Sequence, residues 1–276
     1  MEKLIKSGQV FFGIAIAGLG IQQFLYAGFR PVILPAGSSS LFGIVFWACL
    51  TGAVLIAAAF AIIFEKRGRV ISLWLGGLFL TFFCFGHVPF ELFADPYGQH
   101  LGTWTNALKE LALSGGAFVV AGSFPLIKIN GKRQPAIIGW LEKRIPAGPV
   151  FFSITMICFG IDHFLYTDFV KSLVPAWIAH EVFWTYFAAI ALIGSGVAII
   201  FRIRLRLVGM LLGSMLFLWL LMLHIPRAVA DPYGDKGNEI TSVFEALGFS
   251  GIAFIIACRP RQSIILKDSG PKVENT

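Results

Sequence analysis

The chain has 276 residues, of which 57% are hydrophobic and 13% charged, with a mean hydropathy of +0.80. Soluble domains carry about 25% charged residues, so this composition excludes a water-soluble globular protein and indicates a helical membrane protein. The net charge of +7 does not indicate a nucleic-acid partner, because Lys and Arg fall in short clusters between apolar runs and do not interleave with aromatics on a soluble face.

Apolar runs of spanning length follow one another at 9–29, 41–64, 70–88, 104–125, 148–169, 182–201, 207–225 and 241–258. Each is predicted to be a helix, because backbone polar groups inside hydrocarbon must be satisfied within their own segment. The short alternating segments of a transmembrane β-barrel are missing. The first run, with Lys3 and Lys6 ahead of an apolar core, has the make-up of a signal peptide. The same segment recurs at 150–177, where it cannot be a signal, so the first copy is read as a retained helix. The four cysteines, Cys49, Cys84, Cys158 and Cys258, lie in or at the end of apolar runs and form no CxxC. They read as small buried hydrophobes and argue against disulfide-cycling chemistry.

Of the 22 Lys and Arg, only Arg30, Lys109, Lys171, Arg227 and Lys236 fall on one side of the predicted bundle, and the other 17 fall on the side of the N-terminus. The positive-inside rule then puts both termini in the cytoplasm.

The chain reads as two tandem copies. VFF at 10–12 recurs at 150–152, FLY at 24–26 recurs at 164–166, and AIIF at 61–64 recurs at 198–201. His87 with Pro89 matches His224 with Pro226, and DPYG at 95–98 matches DPYG at 231–234. The offset drifts from 140 to 136 along the chain. Four spans per half give both halves one orientation, so the predicted fold is all-α: about eight transmembrane helices as two parallel four-helix repeats. The divisions are 1–127 for the first repeat, 128–147 for a basic cytoplasmic linker, 148–260 for the second repeat and 261–276 for a cytoplasmic tail. Each DPYG predicts a β-turn in an outer loop that folds back as a cap.

The chemistry-bearing residues gather on the outer side, where all five histidines and ten of the fifteen carboxylates fall. Asp162 and His163 lie roughly 18–20 Å from the cytoplasmic end of their helix, at 1.5 Å per residue. Glu245 and the neighbours Lys109 and Glu110 sit about one turn into their spans, and His224 closes the seventh. Ionisable groups at such depth face the bundle interior and count as functional by default. Adjacent residues point about 100° apart on a helix, so Asp162 and His163 face different directions. Tyr166, four residues after one and three after the other, can touch either. In the first half, Gln22 and Gln23 stand where Asp162 and His163 stand in the second, and Lys109 aligns with Glu245.

Asp162, His163, His224 and Glu245 are therefore the candidate catalytic set. Tyr166, Arg227, Gln22, Gln23, His87 and Glu110 are the candidate ligand-binding set. Four readings stay open: a proton-relay or quinone site using the two histidines, with a carboxylate setting their protonation; a solute or lipid pathway; a metal site of His163, His224 and Glu245 or Asp162, unsupported by any HxxxH or ExxH spacing; and a purely structural hydrogen-bond network between helices. Gly209 and Gly213 form a GxxxG, read as close helix packing.

FGIDHFLYTDFVKSLVPAWIAHEVFWTYFAAIALIGSGVAII at 159–200, with a polar residue before FLY, LVPAW after it and FWTY opening the next helix, resembles the DoxX-like membrane family, as does LHIPRAVADPYG at 223–234. Members of that family are typically single four-helix units, so this chain resembles two fused units. The resemblance implies a prokaryotic inner-membrane protein tied to a redox partner, with quinone as acceptor, and carries a site role onto His163 and His224 at most. Without CxxC, such a role needs quinone, a metal or a partner protein. Whether the chain is an enzyme stays open at this level.

Overall fold

The computed structural model describes residues 1–35, 42–126 and 135–258. Within them the chain is helical and without strands. The long helices are α1 (Glu2–Leu25), α2 (Ile44–Ile63), α3 (Gly68–Phe82), α5 (Thr105–Ser123), α7 (Gly148–Leu165), α9 (Glu181–Ile200), α10 (Leu205–Trp219) and α12 (Asn238–Ala257). Between them lie the short helices α4 (Val88–Phe93), α6 (Ala136–Glu142), α8 (Thr167–Leu173) and α11 (Ile225–Ala230).

Among the described residues, seven helical stretches are long and apolar enough to cross a membrane. The predicted fourth span, α5, is not among them, since Asn106, Lys109 and Glu110 dilute its first turns. It is instead the most enclosed long helix, with 14 of its 19 residues buried, so it is held by protein on most sides. Large apolar side chains such as Phe46, Leu50 and Phe60 on α2 and Leu211 and Leu218 on α10 point outward, as a lipid-facing belt requires.

Both α3 and α10 end in a π-helical turn, Phe83–His87 and Leu220–His224, followed by a short helix with proline in its first turn. The cause is local. Pro89 and Pro226 offer no N–H and would clash with the carbonyls of Phe85 and Met222, four residues back. One extra residue in the turn relieves the clash without exposing backbone to lipid. Each turn closes on a histidine, His87 or His224.

Helices that are neighbours along the chain are neighbours in space. The series α1, α2, α3, α5, α7, α9, α10, α12 packs in that order, and α12 returns to α1. α5 and α12 also touch across the middle and divide the ring into two lobes. The first helix of each half thus packs on the last helix of the other. Glycines make both crossings close: a Cβ on Gly8 would lie 2.6 Å from the Gly251 carbonyl oxygen, and one on Gly115 would lie 2.6 Å from that of Gly148. Gly8 aligns with Gly148 and Gly251 with Gly115, so the two crossings are one contact made twice. Gly209 and Gly213 likewise press α10 onto α12, against Ala253 and Phe254.

The stretch predicted as linker holds α6, which packs with Leu73, Phe118 and Ala121 through Ile138 and Leu141. Arg69 fastens it. Its Nε donates to Glu142 Oε1 at 2.7 Å, and its Nη1 donates to the carbonyls of Ala121 and Phe124, which end α5. Residues 128–134 of the predicted linker and the predicted tail 261–276 lie outside the described residues. The first DPYG turn closes with Gly98 N–H donating to the Asp95 carbonyl (3.1 Å). In the second, Gly234 N–H donates to the Asp231 carboxylate (2.9 Å).

Candidate functional site

The second lobe is hollow. A cavity of about 870 Å³ runs between α7, α9, α10 and α12. Its walls are Met, Leu, Ile, Val and Phe side chains, and its polar lining comes mainly from Lys109, His163, His224, Ser242 and Glu245. Ile190, Leu211 and Leu218 line it while remaining half-exposed or more, so it opens sideways between α9 and α10 toward the lipid-facing surface.

The predicted catalytic set converges on this space only in part. His163 sits between the main cavity and a smaller one of about 360 Å³. Its Nδ1 lies 2.7 Å from the Phe159 carbonyl oxygen, which can only accept, so Nδ1 carries the proton and Nε2 is the acceptor of the neutral ring. Its ring stacks on Trp219, with centroids 6.2 Å apart. His224, placed by the π turn, lines the main cavity alone. Glu245 lines it too, paired at 2.7 Å with Lys109 across the α5–α12 contact. These two occupy aligned positions in the two repeats, so the internal pseudo-symmetry brings opposite charges together at its own axis. Glu245 Oε1 remains without a partner among the described residues.

Asp162 does not line the main cavity; it lines the smaller one, with Thr105, Lys109, His163 and Tyr166. Its Oδ1 is buried and unpartnered among the described residues. Tyr166 bonds to neither Asp162 nor His163 through its hydroxyl, which accepts from Gly102 N–H at 3.2 Å. No group of three or more His, Cys, Asp or Glu that could hold a metal ion occurs among the described residues, so His163, His224 and Glu245 share a cavity without forming a ligand cluster.

The other predicted ligand residues divide differently. Arg227 is committed to a two-pronged ion pair with Glu239, its Nε 2.9 Å from Oε2, and lines neither cavity. Gln22, His87, Gln23 and Glu110 belong to the first lobe and are buried there. His87 Nε2 meets the Val32 carbonyl at 3.3 Å. Both polar atoms of the Gln23 amide and both Glu110 oxygens lack partners among the described residues, as does Oε2 of the buried Glu91, which sequence reasoning did not single out.

Arg30 was also missed. It is 2% exposed, donates to Thr241 Oγ1 from Nε (3.2 Å) and Nη2 (2.9 Å) and to the Lys236 carbonyl from Nη1 (2.7 Å), and lies 4.7 Å above the Tyr26 ring. Thr241 in turn donates to Gln22 Oε1 at 3.1 Å. Burial lowers the pKa of Arg30 from its ordinary value, yet a guanidinium stays charged. An arginine at the end of an apolar run, immediately before Pro31, gave little signal beyond being one of five cations on that side of the predicted bundle.

No family model matches this chain, and neither a curated protein nor a solved structure matches it. The site is therefore read from its own geometry.

Proposed function

We propose that this chain is a multi-pass protein of a prokaryotic inner membrane, akin to the DoxX-like family, that takes a quinone or similar amphiphile into the second-lobe cavity as part of a redox-linked process with a partner protein. The observation that carries the reading is the cavity: apolar walls, a sideways opening to the lipid-facing surface, and a polar end holding His163, His224 and the Lys109–Glu245 pair. Its volume, about 870 Å³, falls within the usual span of small-molecule sites. The distribution of Lys and Arg supports both termini on the cytoplasmic side, which sets the polar end near the outer face.

A quinone, when bound, supplies a two-electron acceptor that the chain lacks. The protein's part is to hold the head group. His224 and the His163–Trp219 stack offer hydrogen bonding beside an aromatic wall, and Lys109 with Glu245 offers a donor and a free carboxylate oxygen. The apolar walls exclude water from the tail.

The test is a decylubiquinone titration of the full chain in nanodiscs, read by native mass spectrometry. Saturable binding is expected, with at least a tenfold loss in His224→Ala and none in His100→Ala, whose side chain is exposed and lines neither cavity. Equal affinity in His224→Ala and wild type removes the quinone reading. The same sideways opening favours one alternative, a lipid-binding or transport protein, and a phospholipid that resists displacement by decylubiquinone would select it.

A further inference from the structure

The repeat contains its own template for a second site. In the first lobe, the Arg30 guanidinium lies over Tyr26 and donates to Thr241, which in turn donates to Gln22. At the repeat offsets of 140 and 136, Gln22, Tyr26 and Arg30 align with Asp162, Tyr166 and Val170, and Thr241 aligns with Thr105. The smaller cavity of the second lobe is lined by these same four counterparts, Asp162, Tyr166, Val170 and Thr105. The guanidinium is gone, because valine stands in place of arginine, and about 360 Å³ of space remains. What surrounded the cation is kept and strengthened: the aromatic ring persists, the threonine hydroxyl persists, and the neutral Gln22 amide becomes a carboxylate whose Oδ1 has no partner among the described residues.

We propose that this smaller cavity binds a small molecule carrying a guanidinium group, which takes the place that Arg30 holds in the first lobe. Asp162 receives the charge, Tyr166 presents its ring face as Tyr26 does to Arg30, and Thr105 accepts as Thr241 does. Thr105 already donates its hydroxyl proton to the Gly102 carbonyl at 2.6 Å, which leaves its oxygen to act as an acceptor. Lys109 also lines the cavity, but its ammonium lies 2.7 Å from Glu245. With Lys109 engaged by Glu245, Asp162 is the carboxylate of this cavity whose Oδ1 is left without a partner among the described residues. The inference rests on the comparison of the two lobes and is independent of the quinone reading.

The probe is n-butylguanidinium, measured by equilibrium dialysis against the full chain in phosphatidylglycerol nanodiscs, with n-butylurea as its neutral isostere. Saturable binding is expected, at least tenfold weaker for the urea and at least tenfold weaker in Asp162→Asn. Val170→Arg should abolish binding by restoring the first lobe's own occupant, and should raise the melting temperature. Asp162→Asn is near-isosteric and stands where the first lobe carries an amide, so its folding, checked by gel filtration, is expected to be normal. No saturable binding to the wild type, or a loss below tenfold in Asp162→Asn, overturns the proposal. Because decylubiquinone and n-butylguanidinium are read separately, either site can fail alone.

Discussion

The two lobes share one repeated plan of helices and differ in what fills them. In the first, the segment after α1 turns inward: Val32, Ile33 and Arg30 are buried, and Phe12 and Phe79 are fully enclosed. In the second, the aligned segment forms the short helix α8, whose Asp168 and Lys171 pair with each other at the surface, while the interior stays open as the 870 Å³ cavity. Where the first lobe carries Arg30, the second carries Val170, so the buried guanidinium has no counterpart there. The comparison teaches that one copy of a repeated membrane fold can pack its interior while the other leaves a cavity, with the Lys109–Glu245 pair tying the two together.

The largest effect should come from that tie. Lys109→Ala leaves the Glu245 carboxylate buried and unpaired, and a loss of ~3–5 kcal/mol is expected on breaking such a pair. Thermal unfolding in detergent checks it, and a Lys109→Met, Glu245→Met double variant should recover most of the loss. Next comes the contrast between the interiors. Phe79→Ala, in the closed lobe, is expected to cost ~3–5 kcal/mol, whereas Leu223→Ala, on the cavity wall, should cost well under half as much because its surroundings are already incomplete. Equal losses would mean that the second lobe is as tightly packed as the first. Arg30→Met removes three charge-assisted hydrogen bonds and should destabilise by about 2–3 kcal/mol. Arg227→Ala should cost no more than ~1 kcal/mol, as suits a partly exposed pair, and should leave decylubiquinone binding unchanged. Smallest of all, Asp168→Asn should leave the melting temperature unmoved. There the Lys171 ammonium holds the Asp168 carboxyl below its ordinary range, but both groups are solvated and the pair is screened.

Much of the helical plan was legible because hydropathy and the bilayer impose it. The predicted 182–201 and 104–125 differ from α9 and α5 by one or two residues at each end. The predicted 148–169 overshot α7, which ends at Leu165, because α8 continues the apolar pattern after a break at Tyr166. Predicted 70–88 and 207–225 joined a helix to its π turn, since hydropathy does not register one extra residue per turn. Depth along a helix put His163, His224 and Glu245 on one cavity, but azimuth turned Asp162 into the smaller cavity, which it shares with His163, and sequence spacing alone does not fix azimuth between helices. Arg227 looked like a ligand residue because Glu239, its partner, lies across a loop, twelve residues on. The alignment of Lys109 with Glu245 was visible in the repeat, but their pairing follows from the α5–α12 contact, which no local pattern encodes.

The account turns on the second lobe being a ligand site and the first a closed core, and native mass spectrometry of the purified chain tests it most directly. Wild type should retain one molecule of an amphiphile, and Ala191→Trp, which fills the cavity from α9, should lose it while remaining folded. Retention of the same mass by both proteins, or an empty wild type that decylubiquinone does not load, would contradict the account.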